Sequence, residues 1–193
     1  IMANKDAPFG LRAVGKLGSS VNNEGTSKYQ ILSGYGTAIF KGDPVLLAND
    51  GTIAVQNSTT TNNIGVFNGC FYNDPTTQKP TWKNYYPGSI TPTVGSIDAY
   101  VYDDPSQLFE IQDAGTLAQT NVGNNADIAT YVAGSTINGQ SKVELSATAA
   151  ATAATFRIVR ICEDPENSDI ASANANWVVK FNEHLYYDNS AGI

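Results

Sequence analysis

The sequence is short of charge, of histidine and of sulfur. Of its 193 residues only 15% are charged, well below the roughly 25% usual for soluble domains. Basic residues number 11 against 18 acidic, a net charge of −7. An acidic chain with scattered Lys and Arg has no electrostatic footprint for nucleic acid. There are two cysteines, Cys70 and Cys162, too few for a disulfide scaffold or a cysteine-built zinc site. Both fall in apolar, strand-like runs, where a buried free thiol is the expected state. No run approaches 18 apolar residues, so no transmembrane helix is expected. The start, Ile1-Met2-Ala3-Asn4-Lys5-Asp6, lacks the apolar stretch of a secretory signal. Ile1 ahead of Met2 is read as a remnant, with Met2 the initiator. Helical periodicity is also scarce: hardly any stretch repeats apolar residues every 3.6 positions.

What is present points to strands and turns. Hydrophobic residues reach 41%, enough for a core, so the chain is not intrinsically disordered. Asn, Thr and Ser supply about a quarter of the residues, with 17 Gly and 8 Pro. Short β-prone runs recur about every ten residues between turn formers: Lys28–Leu32, Thr37–Phe40, Pro44–Leu47, Thr52–Val55, Ile64–Tyr72, Ile97–Tyr102, Gln107–Gln112, Ile128–Val132, Lys142–Leu145, Thr155–Cys162 and Asn176–Asn182. That spacing predicts a mainly β fold, an antiparallel β-sandwich or β-barrel with long loops. Asn49-Asp50-Gly51 is a hairpin turn signal between two of the runs. Thr116–Val122, closed by Gly123, could form a short helix, so at most one or two short helices are expected. Ser146–Ala154 mixes helix-favouring Ala with strand-favouring Thr and suits either state.

The first 28 residues stand apart. Four basic residues against two acidic give them a net charge of +2, so that residues 29–193 carry seven against sixteen, −9. Residues 1–28 are therefore read as an extended N-terminal arm, and 29–193 as a single β-rich domain. Pro8-Phe9-Gly10-Leu11 places apolar anchors in the arm, for which a solvated tail has little use.

Catalytic chemistry finds little footing. His184 is the sole histidine, so a Cys–His dyad would need it beside Cys70 or Cys162. In Asn182-Glu183-His184-Leu185 it reads instead as a hydrogen-bonding residue. No nucleophile elbow, phosphate-binding glycine loop or His-Glu-x-x-His helix occurs. Asp103-Asp104-Pro105 and Glu163-Asp164-Pro165-Glu166-Asn167 are oxygen-rich, but lack the alternating spacing of a calcium loop and read as turn starters. No cofactor, metal or catalytic residue is expected. Aromatics say more about binding: Tyr72, Trp82, Tyr85 and Tyr86 lie among Asn, Thr and Pro, either as an exposed contact patch or as cover for the core beneath a loop.

Several segments carry a family resemblance. Met2-Ala3-Asn4-Lys5-Asp6-Ala7-Pro8-Phe9-Gly10-Leu11-Arg12 resembles the start of the small decoration, or cement, proteins of tailed-bacteriophage capsids. The likeness extends through Gly36–Val45, Tyr100–Pro105 with Phe109–Gln112, Val122–Ile128, Glu163–Asn167 and Asn176–His184. It implies a non-enzymatic virion protein on the outer capsid surface, made in the bacterial cytoplasm. It also implies a shell of major capsid subunits as partner, with self-association as a trimer ahead of a dimer, and neither nucleic acid nor membrane. Phe9, Leu11, Arg12 and Lys16 are then the expected capsid-docking residues of the arm. A receptor- or glycan-binding module displayed on the virion, using the Tyr72–Trp82–Tyr85–Tyr86 group, is the alternative.

Overall fold

The computed structural model describes residues 3–18, 25–58, 62–131, 134–150 and 153–187. It is mainly β, with two six-stranded sheets packed together as in a β-sandwich. The strands are β1 (Arg12–Lys16), β2 (Ser27–Ile31), β3 (Pro44–Leu47), β4 (Ile53–Val55), β5 (Asn63–Asn73), β6 (Pro80–Lys83), β7 (Ile97–Tyr102), β8 (Gln107–Gln112), β9 (Asn125–Ile128), β10 (Leu145–Ala150), β11 (Phe156–Ile161) and β12 (Asn176–Phe181).

The first sheet has the order β1-β8-β12-β11-β9-β10, with every pairing antiparallel. The second runs β3-β4-β2-β7-β5-β6. An additional β3–β5 pairing closes five of its strands into a ring and leaves β6 outside, hydrogen-bonded to β5. Closure removes the open edges those five strands would otherwise present. Its hinge is β5, eleven residues long, which pairs with β3, β6 and β7 in turn. Gly65 lets β5 bend against β7, since a Cβ there would stand 2.0 Å from the Tyr102 carbonyl oxygen.

Each sheet gathers its own core. The ring encloses Val45, Ile53, Ile64, Phe67, Cys70, Tyr72, Ile97 and Val101 among others. β7 shows the alternation that makes such a wall, with Ile97, Ala99 and Val101 inward and Asp98, Tyr100 and Tyr102 less buried. The second core packs Phe109, Ile111, Phe156, Ile158, Trp177, Val179 and Phe181 of the first sheet. Val66 and Tyr102 of the ring wall pack into that same cluster. Gln56 adds a buried hydrogen bond from Nε2 to Thr155 Oγ1 at 3.1 Å, tying the two halves together.

Some expectations need correction, and one open alternative is resolved. Thr116–Val122 is no helix but one 3-10 turn at Gln119–Asn121. Leu117 is buried in the core and Val122 packs partly against it, while the Asn121 side chain accepts from the Ala118 amide at 2.7 Å, a local bond that competes with helical ones. The Ala-rich stretch is extended: β10 begins at Leu145 and runs into it through Ala150. Thr37–Phe40 forms only the isolated bridge Ile39–Tyr86. The Ile128–Val132 run is shifted, because β9 ends at Ile128 and Val132 lies outside the described residues.

Candidate interaction surfaces

The N-terminal segment lies along the body over residues 3–18. Side-chain amides of the body bond its main chain as a neighbouring strand would. Asn167 accepts from the Lys5 amide at 3.2 Å and donates to its carbonyl at 2.8 Å. Gln112 donates to the same carbonyl at 2.9 Å and accepts from the Ala7 amide at 2.9 Å. Asn4 reciprocates, with its Nδ2 reaching the carbonyls of Asp169 and Ala173 at 2.9 and 3.0 Å. From Arg12 the segment becomes β1, the edge strand beside β8.

This arrangement engages each of the four expected docking residues within the chain. Leu11 is buried in the core of the first sheet. Phe9 is half-buried beneath the Arg12 guanidinium, 4.3 Å from ring centroid to Cζ, and its carbonyl accepts from Gln140 Nε2. Arg12 also meets Glu110 at 3.4 Å. Lys16 pairs with Asp104 at 2.6 Å, a contact that holds the Asp104 carboxyl below its usual range.

The expected aromatic group divides in two. Tyr72 and Tyr86 are fully buried in the ring's core. Tyr86 donates its hydroxyl to the Tyr35 carbonyl at 2.8 Å and accepts the Ile90 amide at 3.1 Å. Tyr85 is half-buried and stacks on Phe40 with centroids 5.8 Å apart. Trp82 alone of the four is exposed, at 53%.

Its neighbours are residues that sequence spacing does not bring together. Phe71, 39% exposed, is the direct cross-strand partner of Trp82, and Tyr100 lies against the indole with ring centroids 5.2 Å apart. Trp82 can lie flat because Gly69 has no side chain: a Cβ there would stand 2.6 Å from Trp82 Cζ2. The result is a platform of three rings on the outer wall of the second sheet. Polar groups border it, with Lys28 and Ser96 bonded to Asp98 at 3.2 and 2.9 Å. Two-residue alternation along β5 turns Tyr72 inward and Phe71 outward, and that signal alone could have exposed Phe71 from the sequence.

Burial favours the neutral forms of the two cysteines and the histidine. Burial pushes the Cys70 thiol up to about 12 and the Cys162 thiol to about 11, the reverse of an activated nucleophile. His184 is buried, and desolvation lowers its pKa. Its Nδ1 accepts the Tyr186 amide at 3.1 Å. In the acidic loops, Asp103 accepts from the Tyr29 hydroxyl at 2.8 Å, while Asp104 and Asp164 bond the amides of Ser106 and Glu166 as turn residues do. Among the described residues, no group of three or more His, Cys, Asp or Glu could hold a metal ion. No helix there is long and apolar enough to cross a membrane.

Comparison with protein-family models, curated proteins and solved structures finds no match for this chain.

Proposed function

We propose that this is a non-enzymatic structural protein that decorates and cements the outer face of a tailed-phage capsid, with the major capsid protein as partner. The observation that carries the reading is the Phe71–Trp82–Tyr100 platform, three aromatic rings presented together on a sheet wall. Exposed Trp and Tyr on a rigid scaffold are the residues that anchor protein contacts, because they bury large area at little entropic cost. The sequence likeness to decoration proteins names the surface being contacted. An acidic body suits a shell exterior, which faces water and not the genome. Many copies, each adding modest interface energy, would together resist the pressure of packaged DNA.

In this reading contact runs through the platform, while the N-terminal segment acts by completing the first sheet. The test is occupancy on undecorated capsids. Trp82→Ala is expected to lower occupancy about tenfold or more, as truncation of an interface anchor does. Unchanged occupancy would remove the platform from the contact, and no binding by the wild-type chain would overturn the decoration reading.

A second reading has its own observation. An exposed indole on a wall that also carries Asp98 and Lys28 is a surface on which a sugar ring stacks while its hydroxyls find polar partners. A glycan-binding module displayed on the virion would show saturable glycan-array signals that Trp82→Ala removes, together with no affinity for the shell.

A further inference from the structure

A second surface, on the first sheet, is built for an anion. Arg157 on β11 and Lys180 on β12 are directly opposite each other in the strand register. Like charges so placed repel and destabilise the sheet. Among the described residues neither makes an ion pair with a carboxylate. The guanidinium is aimed instead by neutral amides, with Nε on Asn125 Oδ1 at 2.6 Å and Nη2 on Asn182 Oδ1 at 3.1 Å. Lys180 Nζ sits 4.9 Å over the Tyr187 ring. Both cations line a pocket of about 420 Å³ with Leu17, Val122 and Tyr187 as apolar walls. Two oriented cations, with no carboxylate partner among the described residues, in an apolar-walled recess suit a carboxylate.

The chain carries such carboxylates at the other end of the same strand. Beyond Ile161, the last residue of β11, the loop at Glu163–Glu166 exposes both glutamates. Asp164 is turned into the loop, bonded to the Glu166 amide at 3.0 Å and to Asn176 Nδ2 at 3.2 Å. Glu166 shares a shallow groove with Lys5 and Arg12, where Arg12 pairs with Glu110 and not with Glu166. Glu163 lies six positions along the chain from Arg157, about 20 Å at the usual strand rise. Within one copy the two features point to different ends, and between copies they are complementary.

We propose that the Arg157–Lys180 pocket receives the Glu163–Glu166 loop of a second copy, so that the protein self-associates head to tail. The two patches differ, so the contact is heterologous and propagates to a ring where its rotation closes. This does not depend on the shell-binding reading. It is measured on the isolated chain, whereas occupancy on capsids measures the other.

Sedimentation velocity of the full chain over a concentration series, at about 50 mM and about 500 mM salt, provides the test, since these span the change in screening length from well above to well below 10 Å. The wild type is expected to associate, and about tenfold or more weakly at the higher salt. Lys180→Glu and the pair Glu163→Lys with Glu166→Lys should each sediment as monomers, and mixing those two variants should restore association. Melting curves check that each variant is folded, with Lys180→Gln as a neutral control of intermediate strength. A monomeric wild type at low salt overturns the proposal. So does association that either charge reversal leaves intact, or failure of the mixture to recover it.

Discussion

The amide of Leu11 donates to the carbonyl of Gly42 at 2.9 Å, placing the leucine side chain in the core between β8 and the ring wall. A residue that the sequence marks as an anchor for another protein is thus an anchor for its own. Leu11→Ala is expected to destabilise the isolated protein by about 2–5 kcal/mol, the usual range for a buried leucine. Urea unfolding measures it. A change below about 0.5 kcal/mol would mean that Leu11 is free in solution and that the segment is ordered only on a partner.

Trp82 depends on an absence of atoms beneath it. Gly69→Ala places a methyl group where the indole now lies, so Trp82 must lift away from Tyr100. Indole fluorescence is expected to shift to the red as the ring gains water, with the fold otherwise kept. Capsid or glycan binding, whichever the platform serves, should fall with it. An unshifted spectrum would show that Trp82 does not rest on Gly69. The other tryptophan, Trp177, is buried in the first sheet and gives a constant blue background.

The strands were legible where apolar and turn residues alternate without interruption. Pro44–Leu47, Ile97–Tyr102 and Gln107–Gln112 appear with the boundaries expected of them. β1 and β6 were not foreseen. Arg12–Lys16 is half polar and Pro80–Lys83 starts with proline, and each becomes a strand by pairing at a sheet margin, β1 with β8 and β6 with β5. The ring closure was equally hidden, since it rests on one non-local pairing of β3 with β5. For the platform, Trp82 was visible as an aromatic in a polar stretch. Alternation along β5 turns Phe71 outward, but its meeting with Trp82 and Tyr100 was not visible, because cross-strand register brings the three together and local spacing does not. Arg157 and Lys180 were missed for the same reason.

Asp113 and Trp177 form a buried polar pair in the first sheet, with Nε1 to Oδ2 at 2.8 Å. The same carboxylate accepts from the amides of Ala175 at 3.1 Å and Leu117 at 3.4 Å. Asp113→Ala leaves the indole N–H and these two amides without an acceptor. A loss of about 3 kcal/mol or more is expected, against a smaller loss for Asp113→Asn, which keeps an oxygen in place. Denaturant unfolding of both, with Trp177→Phe to close a double-mutant cycle, measures the coupling. A cycle energy near zero would show that the pair does not act together.

Asp43 gives the fold a pH dependence of unusual sign for a carboxylate. It is fully buried beside the Leu11–Gly42 contact, accepts the Phe40 amide at 2.7 Å and is hydrogen-bonded to Ser141. Burial pushes its pKa from an ordinary 3.8 up to about 7, while the two hydrogen bonds pull the other way. The unfolded chain ionises Asp43 near its ordinary value, whereas the folded chain holds the proton almost to neutrality. Between those values the folded state binds more protons, so stability falls as pH rises and levels off above about 7, with a limiting slope of about 1.4 kcal/mol per pH unit. His184 acts in the opposite sense. Its pKa is lowered by desolvation, so its contribution is lost as pH falls below about 6.5, where the unfolded imidazole takes up a proton. Subtracting one variant from the wild type separates the two. Asp43→Asn keeps an oxygen for the Phe40 amide and cannot ionise. The wild-type stability minus that of Asp43→Asn is therefore expected to decline from about pH 4 to pH 7 and to stay flat above it. Urea unfolding at intervals across that window gives the difference directly. A difference independent of pH would place the Asp43 pKa at its unfolded value, and with it a carboxylate that water reaches.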